Sequence, residues 1–315
     1  MTNGETATMS HATEDAAPRR GPPWIRPEIQ QRIAWRDGDV VISVPPKSGT
    51  TWTMNIVHQL FTGGTADFRD IYEEVPWIEF LSHPGQPLQS VVDRVEAMPA
   101  GRRRAFKTHS APPALPFIEA GSGRDVKYIV VFRNPEEALV SFRPFIEKHS
   151  DAWFELWQMP RQAMCRQDFP SFYAEVVDRQ GMQGMFFAFL AAWWPLRREE
   201  NVLLLHFADM KRDHEASIRT IAGFLGVEPE ADRWPAILEY TSFPWMKRHE
   251  DKFEAVTTGE IPILTSGAMI RKGEAGKAAS DGMTEEISRH LRDLGRRICP
   301  DEAALTWLYE GGELP

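Results

Sequence analysis

Short runs of β-branched and apolar residues recur along the chain, and segments with helical spacing of their apolar positions separate or follow them. The runs cover residues 40–44, 104–107, 127–132 and 202–207. Nearly continuous apolar runs of this length are typical of strands buried on both faces, and their alternation with helices favours a parallel sheet. The pattern therefore predicts an α/β fold in which helices flank a parallel sheet.

Helical spacing of apolar residues defines the other elements. The predicted helices cover residues 53–61, 135–148, 171–178, 185–198, 214–225, 232–240 and 284–298. Pro135 suits the second of them, because proline is favoured in the first turn of a helix. In two segments, 76–103 and 259–282, proline and glycine interrupt any period, so both are predicted to be irregular and to close over ligands.

The residues after the first strand form a candidate anion-binding loop. The segment reads Pro45-Pro46-Lys47-Ser48-Gly49-Thr50-Thr51-Trp52 and leads into a helical stretch. Backbone N–H groups at a glycine turn and at a helix N-terminus favour an anion. The nucleoside-triphosphate loop G-x-x-x-x-G-K-[ST] places its lysine after the last glycine, whereas Lys47 here precedes Gly49. The alternative is a plain glycine turn with a solvated lysine.

A lysine and a histidine end the second strand, in the order Phe106-Lys107-Thr108-His109. Open parallel sheets bind ligands at the carboxyl ends of their strands, so His109 is predicted to face the same crevice as the loop. A neutral imidazole in that crevice can remove the proton of an alcohol near neutral pH. The alternative is a histidine that only caps the strand.

Arg133 ends the third strand, and Ser141 follows eight residues later. An enzyme that hydrolyses a triphosphate usually has a carboxylate at this point, which organises Mg²⁺. A guanidinium together with a hydroxyl on the first turns of the next helix instead predicts a phosphate clamp that needs no metal. The alternative is an arginine that pairs with Glu136 or Glu137.

Together these segments resemble the cytosolic-type sulfotransferase family, whose members use 3′-phosphoadenosine 5′-phosphosulfate (PAPS) as the donor. The loop PKSGTTW is similar to the family's 5′-phosphosulfate loop, and FKTHS is similar to its K-T-H-L-P segment. The spacing of Arg133 and Ser141 resembles the family's 3′-phosphate site, and residues 270–276 resemble its R-K-G-x-x-G segment. The resemblance runs from about residue 36 to residue 276 and implies a P-loop-like sulfotransferase fold.

The resemblance also implies a role for each matching residue. His109 would be the general base, while Lys47 and Lys107 would neutralise charge on the leaving phosphate and on the transferring group. The residues implied at the donor are Lys47, Ser48, Gly49, Thr50 and Thr51 for the 5′-phosphate, Arg133, Ser141, Arg271, Lys272 and Gly273 for the 3′-phosphate, and Trp52, Phe207, Thr241 and Phe243 for the adenosine. PAPS is then the expected co-substrate, no metal is expected, and the expected acceptor is a small apolar or aromatic molecule.

The chain departs from the family pattern in several places. Ser110 stands where the family usually has leucine, and Phe207 stands where it has tyrosine. Residues 276–279 read G-K-A-A instead of the family's G-D-W-K. The family's short C-terminal dimer motif is not recognisable either, so the sequence allows a monomer or a homodimer.

Composition limits the domain count and the partners. A chain of 315 residues with 42% hydrophobic side chains can form one large domain, predicted over residues 23–315, after a polar, disordered leader at residues 1–22. Its 36 basic and 45 acidic residues give a net charge of −9, which disfavours general nucleic-acid binding. Cys165 and Cys299 lie far apart without metal-ligand spacing, which favours a reducing, cytoplasmic setting.

The longest uncharged run covers residues 180–196 and is interrupted by two glycines and a proline. It is shorter than the roughly 20 apolar residues that span a bilayer, so no stable membrane span is predicted. Its aromatic residues are interpreted first as core and second as the wall of an acceptor pocket.

Two other functions stay open from the sequence. A phosphate-loop kinase would bind ATP with Mg²⁺, but the position of Lys47 and the arginine after residue 132 disfavour it. A nucleotide-binding protein of the same fold that has lost catalysis is disfavoured because both Lys47 and His109 are present.

Overall fold

The computed structural model describes residues 21–254, 261–271, 273 and 276–315. Most of the predicted leader, residues 1–20, and the predicted site residue Lys272 lie outside the described residues. The described chain contains a four-stranded parallel sheet with helices around it, which confirms the predicted α/β class. The division into a leader and a single domain stays a prediction.

The strands are β1 (Asp39–Ser43), β2 (Ala105–Thr108), β3 (Val126–Phe132) and β4 (Val202–His206). They pair in parallel in the order β2-β1-β3-β4, and each strand end lies within one residue of the predicted end. Every residue of the central strand β1 is buried, and so is nearly all of β3. The hydrophobic runs therefore predicted the sheet well, because central parallel strands are covered on both faces.

The helices surround the sheet and differ in length. The α-helices are α1 (Thr50–Thr62), α2 (Ile71–Glu74), α3 (Leu88–Glu96), α4 (Pro135–Glu147), α5 (Asp151–Leu156), α6 (Phe169–Phe172), α7 (Met185–Trp193), α8 (Phe207–Arg212), α9 (His214–Leu225), α10 (Trp234–Tyr240), α11 (Phe243–Arg248), α12 (Glu285–Ile298) and α13 (Glu302–Glu310). Short 3₁₀ helices cover Pro27–Arg32, Arg161–Ala163, Met182–Gly184, Trp194–Leu196 and Glu250–Phe253, and a π-helix covers Tyr173–Asp178. None of the described helices combines the length and the apolar character needed to cross a bilayer.

The predictions for segment 76–103 and for the helix over 185–198 were wrong in part. Segment 76–103 was predicted to be irregular, but it contains α3, whose Val91, Val92 and Val95 are buried. The helix has only nine residues, too short a stretch for its apolar period to stand out beside the neighbouring prolines and glycines. The helix predicted over 185–198 ends at Trp193 and tightens into a 3₁₀ turn, because Pro195 supplies no backbone N–H.

A buried ion pair lies at the amino end of the sheet. Nη2 and Nε of Arg104 lie 2.6 and 2.8 Å from the carboxylate oxygens of Asp39, and both side chains are only 1% exposed. Because all four strands run in the same direction, the residues that follow them meet at the opposite, carboxyl edge. The predicted site residues lie at that edge.

Candidate active site

A cavity of about 1270 Å³ opens at the carboxyl edge of the sheet. It is lined by residues that follow each of the four strands: Lys47 after β1, His109 after β2, Arg133 after β3 and Phe207 after β4. Ligand sites at the carboxyl ends of parallel strands are the general rule for open α/β sheets. The cavity has a polar part around these residues and an apolar part lined by aromatic residues and methionines.

The structure brings most of the predicted site residues to this one cavity. The lining residues among them are Lys47, Gly49, Thr50, Thr51, Trp52, Lys107, His109, Arg133, Ser141, Phe207, Phe243, Arg271 and Gly273. Two predicted residues, Ser48 and Thr241, are buried and are not part of the lining. The structure therefore places Ser48 and Thr241 behind the cavity wall rather than on it.

The loop before α1 has the backbone geometry of an anion cradle. Lys47 has a φ of 65° and Gly49 a φ of 99°, so two residues of the loop are in the left-handed region. A Cβ at Gly49 would lie 2.8 Å from the Phe207 ring, so only glycine fits there. The first turn of α1 has no side-chain cap, and its N–H groups are available to a ligand.

Ser48 contributes a second observation at the loop. Its side chain is fully buried, and its Oγ has no hydrogen-bond partner among the described residues. A buried hydroxyl without a partner is unfavourable unless a ligand or water satisfies it. The donor set at the loop therefore fits an anionic group.

Two lysines extend into the polar part of the cavity and contact aromatic faces. Nζ of Lys47 lies 4.1 Å from the centre of the Phe145 ring, and Nζ of Lys107 lies 3.3 Å from the Trp77 ring. Burial, and after it the neighbouring cations Arg133 and Arg271, lower the pKa of Lys47 to about 7. A bound anion would favour the charged form of such lysines.

The pKa of Lys107 is set by its own neighbours. Its pKa is lowered to about 7 by burial first and also by the Lys47 cation, and the Glu79 carboxylate opposes this lowering. Lys47 therefore disfavours the charged form of Lys107, and a bound anion would oppose this effect.

His109 is held in one tautomer by the backbone. Its Nδ1 lies 2.5 Å from the carbonyl oxygen of Val44, and because a carbonyl only accepts, Nδ1 carries the proton. Burial and then the Lys107 cation hold the pKa of His109 well below its usual value, against the opposing effect of the Val44 contact. The ring is therefore neutral near pH 7, with the Nε2 lone pair free to accept a proton.

Glu79 organises the segment around His109. In the sequence it is only an acidic residue between Ile78 and Phe80, and no motif indicated its role. Its carboxylate is fully buried and accepts hydrogen bonds from five donors. The donors are Trp77 Nε1 at 3.1 Å and the His109 N–H at 2.6 Å on Oε1, and Gln30 Nε2 at 3.0 Å, Thr108 Oγ1 at 2.8 Å and Ser110 Oγ on Oε2. One carboxylate thus holds the backbone of His109 and the indole that contacts Lys107.

Arg133 makes contacts on both sides of its guanidinium. Nε and Nη2 lie 3.1 and 3.0 Å from Glu137 Oε2, and Nη1 donates to the Lys47 carbonyl oxygen at 3.1 Å. The Glu137 pair is the alternative that the sequence left open, but the same guanidinium also lies over the Phe207 ring at 4.7 Å and lines the cavity. Arg133 therefore holds the anion-binding loop through the Lys47 carbonyl oxygen and also lines the cavity.

An aromatic platform follows α1. Trp52 lies edge to face with Phe207, with ring centres 5.8 Å apart, and its Nε1 donates to the Thr241 carbonyl oxygen at 2.9 Å. The Thr241 hydroxyl donates to the Ile237 carbonyl oxygen at 2.7 Å and lies 3.0 Å from His214 Nε2. The Thr241 carbonyl oxygen thus fixes the orientation of the Trp52 ring.

The segment around Gly273 packs against Phe243. A Cβ at Gly273 would lie 2.5 Å from the Phe243 ring, and Gly273 has a φ of 62°. Lys211, a lining residue that the sequence did not indicate, donates to the Gly273 carbonyl oxygen through Nζ. These contacts bring Arg271 and the aromatic Phe243 to the same side of the cavity.

The apolar part of the cavity is rich in aromatic residues and methionine. Its lining includes Trp24, Ile25, Trp77, Phe80, Phe142, Phe145, Ile146, His149, Trp153, Met159, Met164, Met182, Met185, Phe189, Met246, Ile263, Leu264, Met269 and Ile270. Of the aromatic residues in segment 180–196, only Phe189 lines the cavity, and Phe186, Phe187, Trp193 and Trp194 belong to the core. The preferred interpretation of that segment as core was therefore correct for most of it.

Comparisons with known proteins bear on this arrangement. A family model described as a sulfotransferase domain matches residues 37–300. Sulfotransferase 1A1 of Rattus norvegicus is 30% identical over 251 residues, which cover 79% of this chain and 80% of the relative. Human sulfotransferase 2A1 is 25% identical over 285 residues, 87% of this chain and 92% of the relative.

A solved structure gives a separate test of the fold. The crystal structure of mouse sulfotransferase SULT7A1 complexed with PAP aligns with a TM-score of 0.65 at 22% identity. The alignment covers 90% of this chain and 91% of the mouse protein. At this level of identity the likeness supports the fold, and the roles of individual residues rest on the geometry above.

Proposed function

This chain is a member of the sulfotransferase family, and on that basis we propose that it moves a sulfuryl group from PAPS to a hydroxyl, or less often an amine, of a small apolar or aromatic acceptor. The observation that carries the proposal is the meeting of Lys47, Lys107 and His109 in one cavity at the carboxyl edge of the sheet. The same cavity continues into an apolar part that suits such an acceptor.

His109 acts as the general base in this proposal. Its Nε2 accepts the proton of the acceptor hydroxyl while the acceptor oxygen forms a bond to sulfur. The bond between sulfur and the phosphate oxygen of the donor breaks in the same step, and the electron pair stays on the phosphate. The Val44 contact supports this role, because it fixes the tautomer whose lone pair is on Nε2.

Lys47 and Lys107 stabilise the negative charge that the leaving phosphate gains. Both contact aromatic faces that position their ammonium groups in the cavity. Anionic donor groups between them oppose the effect of burial and favour the charged lysines. This electrostatic stabilisation requires no proton transfer from the lysines themselves.

The donor is proposed to lie along the loop and the aromatic platform. Residues 48–51 hold the 5′-phosphate through backbone N–H groups and hydroxyls, and the left-handed backbone of Lys47 and Gly49 and the uncapped first turn of α1 support this assignment. Arg133, Ser141, Arg271 and Gly273, with Lys272, hold the 3′-phosphate. Trp52, Phe207 and Phe243 contact the adenosine, with Thr241 supporting Trp52.

A direct assay tests the proposed function. The protein is incubated with PAPS that carries radioactive sulfur, a panel of phenols and apolar alcohols, and a metal chelator. Transfer of the label to an acceptor is expected, and His109→Ala should abolish it while the affinity for adenosine 3′,5′-bisphosphate (PAP) stays nearly unchanged. A loss of PAP affinity in His109→Ala as large as the loss in Arg133→Ala would contradict the role given to His109.

A further inference from the structure

A second histidine lies in the apolar part of the cavity, and the Phe145 ring separates it from Lys47. His149 follows the end of α4, lines the cavity and is only 7% exposed. The proposed transfer step gives it no role. A polar side chain in an otherwise aromatic and methionine-rich wall calls for a partner, because burying an unpaired polar group is unfavourable.

The hydrogen bonds of His149 determine which ring nitrogen can take that partner. Its Nδ1 lies 3.2 Å from the Phe145 carbonyl oxygen and 3.1 Å from the Ile146 carbonyl oxygen. Carbonyl oxygens only accept, so Nδ1 carries the proton and Nε2 carries the lone pair. Nε2 is thus left as an acceptor for a ligand that enters the cavity.

The surroundings keep this ring neutral and fixed. Burial first, and then the cations Lys47 and Arg161, lower the pKa of His149 to about 4, against the raising effect of the two carbonyl contacts. The Trp153 ring lies 4.4 Å from the imidazole and the Phe145 ring lies 5.1 Å from it. His149 is therefore a rigid, uncharged hydrogen-bond acceptor.

The Phe145 ring lies between the His149 imidazole and Lys47 and contacts both. One face contact holds Lys47 Nζ at 4.1 Å from the Phe145 ring, and an edge contact places the same ring against His149. His149 is therefore about one aromatic ring away from the lysine proposed to act at the sulfuryl group.

We propose that Nε2 of His149 accepts a hydrogen bond from a second hydroxyl of the acceptor, so that the favoured acceptors are apolar aromatic compounds with two separated hydroxyl groups. The inference rests on the proposed function, because one hydroxyl must be at His109. An acceptor with a single hydroxyl displaces water from Nε2 without replacing its hydrogen bond. A site that binds a hydroxyl in this way discriminates against the analogue that lacks it.

Matched pairs of acceptors test this inference with PAPS as donor. The pairs are phenol and resorcinol, naphthol and dihydroxynaphthalene, and phenylphenol and dihydroxybiphenyl. For at least one pair we expect kcat/KM of the two-hydroxyl compound, corrected for its two reactive groups, to exceed that of its partner about tenfold. In His149→Phe this ratio should fall to about one, because phenylalanine fits the aromatic surroundings but accepts no hydrogen bond.

Two further variants separate this role from general damage. His149→Gln keeps an acceptor oxygen and should retain part of the preference. His58→Phe is the matched control, since His58 is also a buried histidine but lies in α1 and does not line the cavity. It should leave the ratio unchanged.

The outcomes distinguish the inference from the function on which it rests. Sulfuryl transfer with equal kcat/KM in all three pairs overturns the role of His149 and leaves the proposed function intact. An equal decrease of kcat/KM for both members of a pair in His149→Phe would also overturn the role of His149 and leave the proposed function intact. No transfer from PAPS to any of the six compounds or to the wider panel contradicts both.

Discussion

Oε1 of Glu79 accepts the backbone N–H of His109 at 2.6 Å. The same oxygen accepts Trp77 Nε1 at 3.1 Å, and the Trp77 ring contacts both the Lys107 ammonium and the His109 ring. A single buried carboxylate thus fixes the proposed base and one of the proposed cations. In our account Glu79 is a positioning residue, since it acts through His109 and Lys107.

Replacement of Glu79 by glutamine should lower kcat by at least about tenfold, because an amide N–H₂ cannot accept from these donors. It also removes the negative charge that opposes the low pKa of Lys107. The pKa of Lys107 should then fall below about 7, so the alkaline limb of kcat/KM for PAPS should move to lower pH. Steady-state rates across pH measure both effects.

Asp39→Asn is the control for that variant. Asp39 is also a buried carboxylate with an essential partner, but it pairs with Arg104 at the amino end of the sheet. Breaking a buried pair lowers the free energy of unfolding by about 3–5 kcal/mol. Asp39→Asn should therefore be destabilised at least as much as Glu79→Gln. A similar drop in kcat in Asp39→Asn, or an unchanged pH profile in Glu79→Gln, would assign Glu79 a purely structural role.

Replacement of Arg133 by alanine should weaken PAP binding before it affects turnover at saturating PAPS. Charge-assisted hydrogen bonds contribute about 1.5–3 kcal/mol, so the affinity should fall by more than tenfold. Arg143→Ala is the matched control, because Arg143 forms the same i,i+4 pair in α4 with Glu147 but does not line the cavity. Calorimetry on both variants checks this, and equal losses would speak against a phosphate role for Arg133.

Replacement of Gly49 by alanine should disrupt the loop. The new Cβ would meet the Phe207 ring at 2.8 Å in a backbone with a φ of 99°. PAP affinity should fall by about tenfold or more, because the loop and the ring cannot both keep their positions. Gly63→Ala at the other end of α1 has a positive φ of 68° but no neighbour within 4 Å, so it tests backbone strain alone and should keep PAP affinity.

The affinity for PAP should fall as the pH rises through about 7 and above. Lys47 and Lys107 both have a pKa of about 7 in the free protein, so they lose their charge in this range. A bound polyanion favours the charged forms and raises both pKa values, so binding above that pH should take up protons. Calorimetry in buffers of different ionisation enthalpy measures the uptake, and a constant affinity up to pH 9 would exclude it.

The sequence predicted the parts of the fold that local pattern encodes. The runs that became β1, β2 and β3 are buried almost throughout and β4 is buried at alternate residues, and the hydrophobicity of the four runs alone locates them. The positions of Lys47, His109 and Arg133 at strand ends followed from the same pattern, since parallel strands bring their carboxyl ends together. The oligomeric state and the cytoplasmic setting stay predictions.

Other features depend on contacts between distant segments and have no local signal. Glu79 became central because Gln30, Thr108 and Ser110 donate to it from other parts of the chain. Thr241 matched a motif, yet its hydroxyl bonds to its own helix, and its carbonyl oxygen is what contacts Trp52. Spacing along the sequence indicates which residues come near a site, but not which of their atoms face it.

The nucleotide that the cavity prefers distinguishes a sulfotransferase from a kinase. Calorimetry measures this preference by comparing the binding of PAP without metal with the binding of ATP in the presence of Mg²⁺. We expect tight, metal-free binding of PAP and much weaker binding of ATP, because Arg133 follows β3 where a kinase would hold Mg²⁺ with a carboxylate. A preference for ATP with Mg²⁺ would contradict the roles given to Lys47 and Arg133 and would favour a kinase.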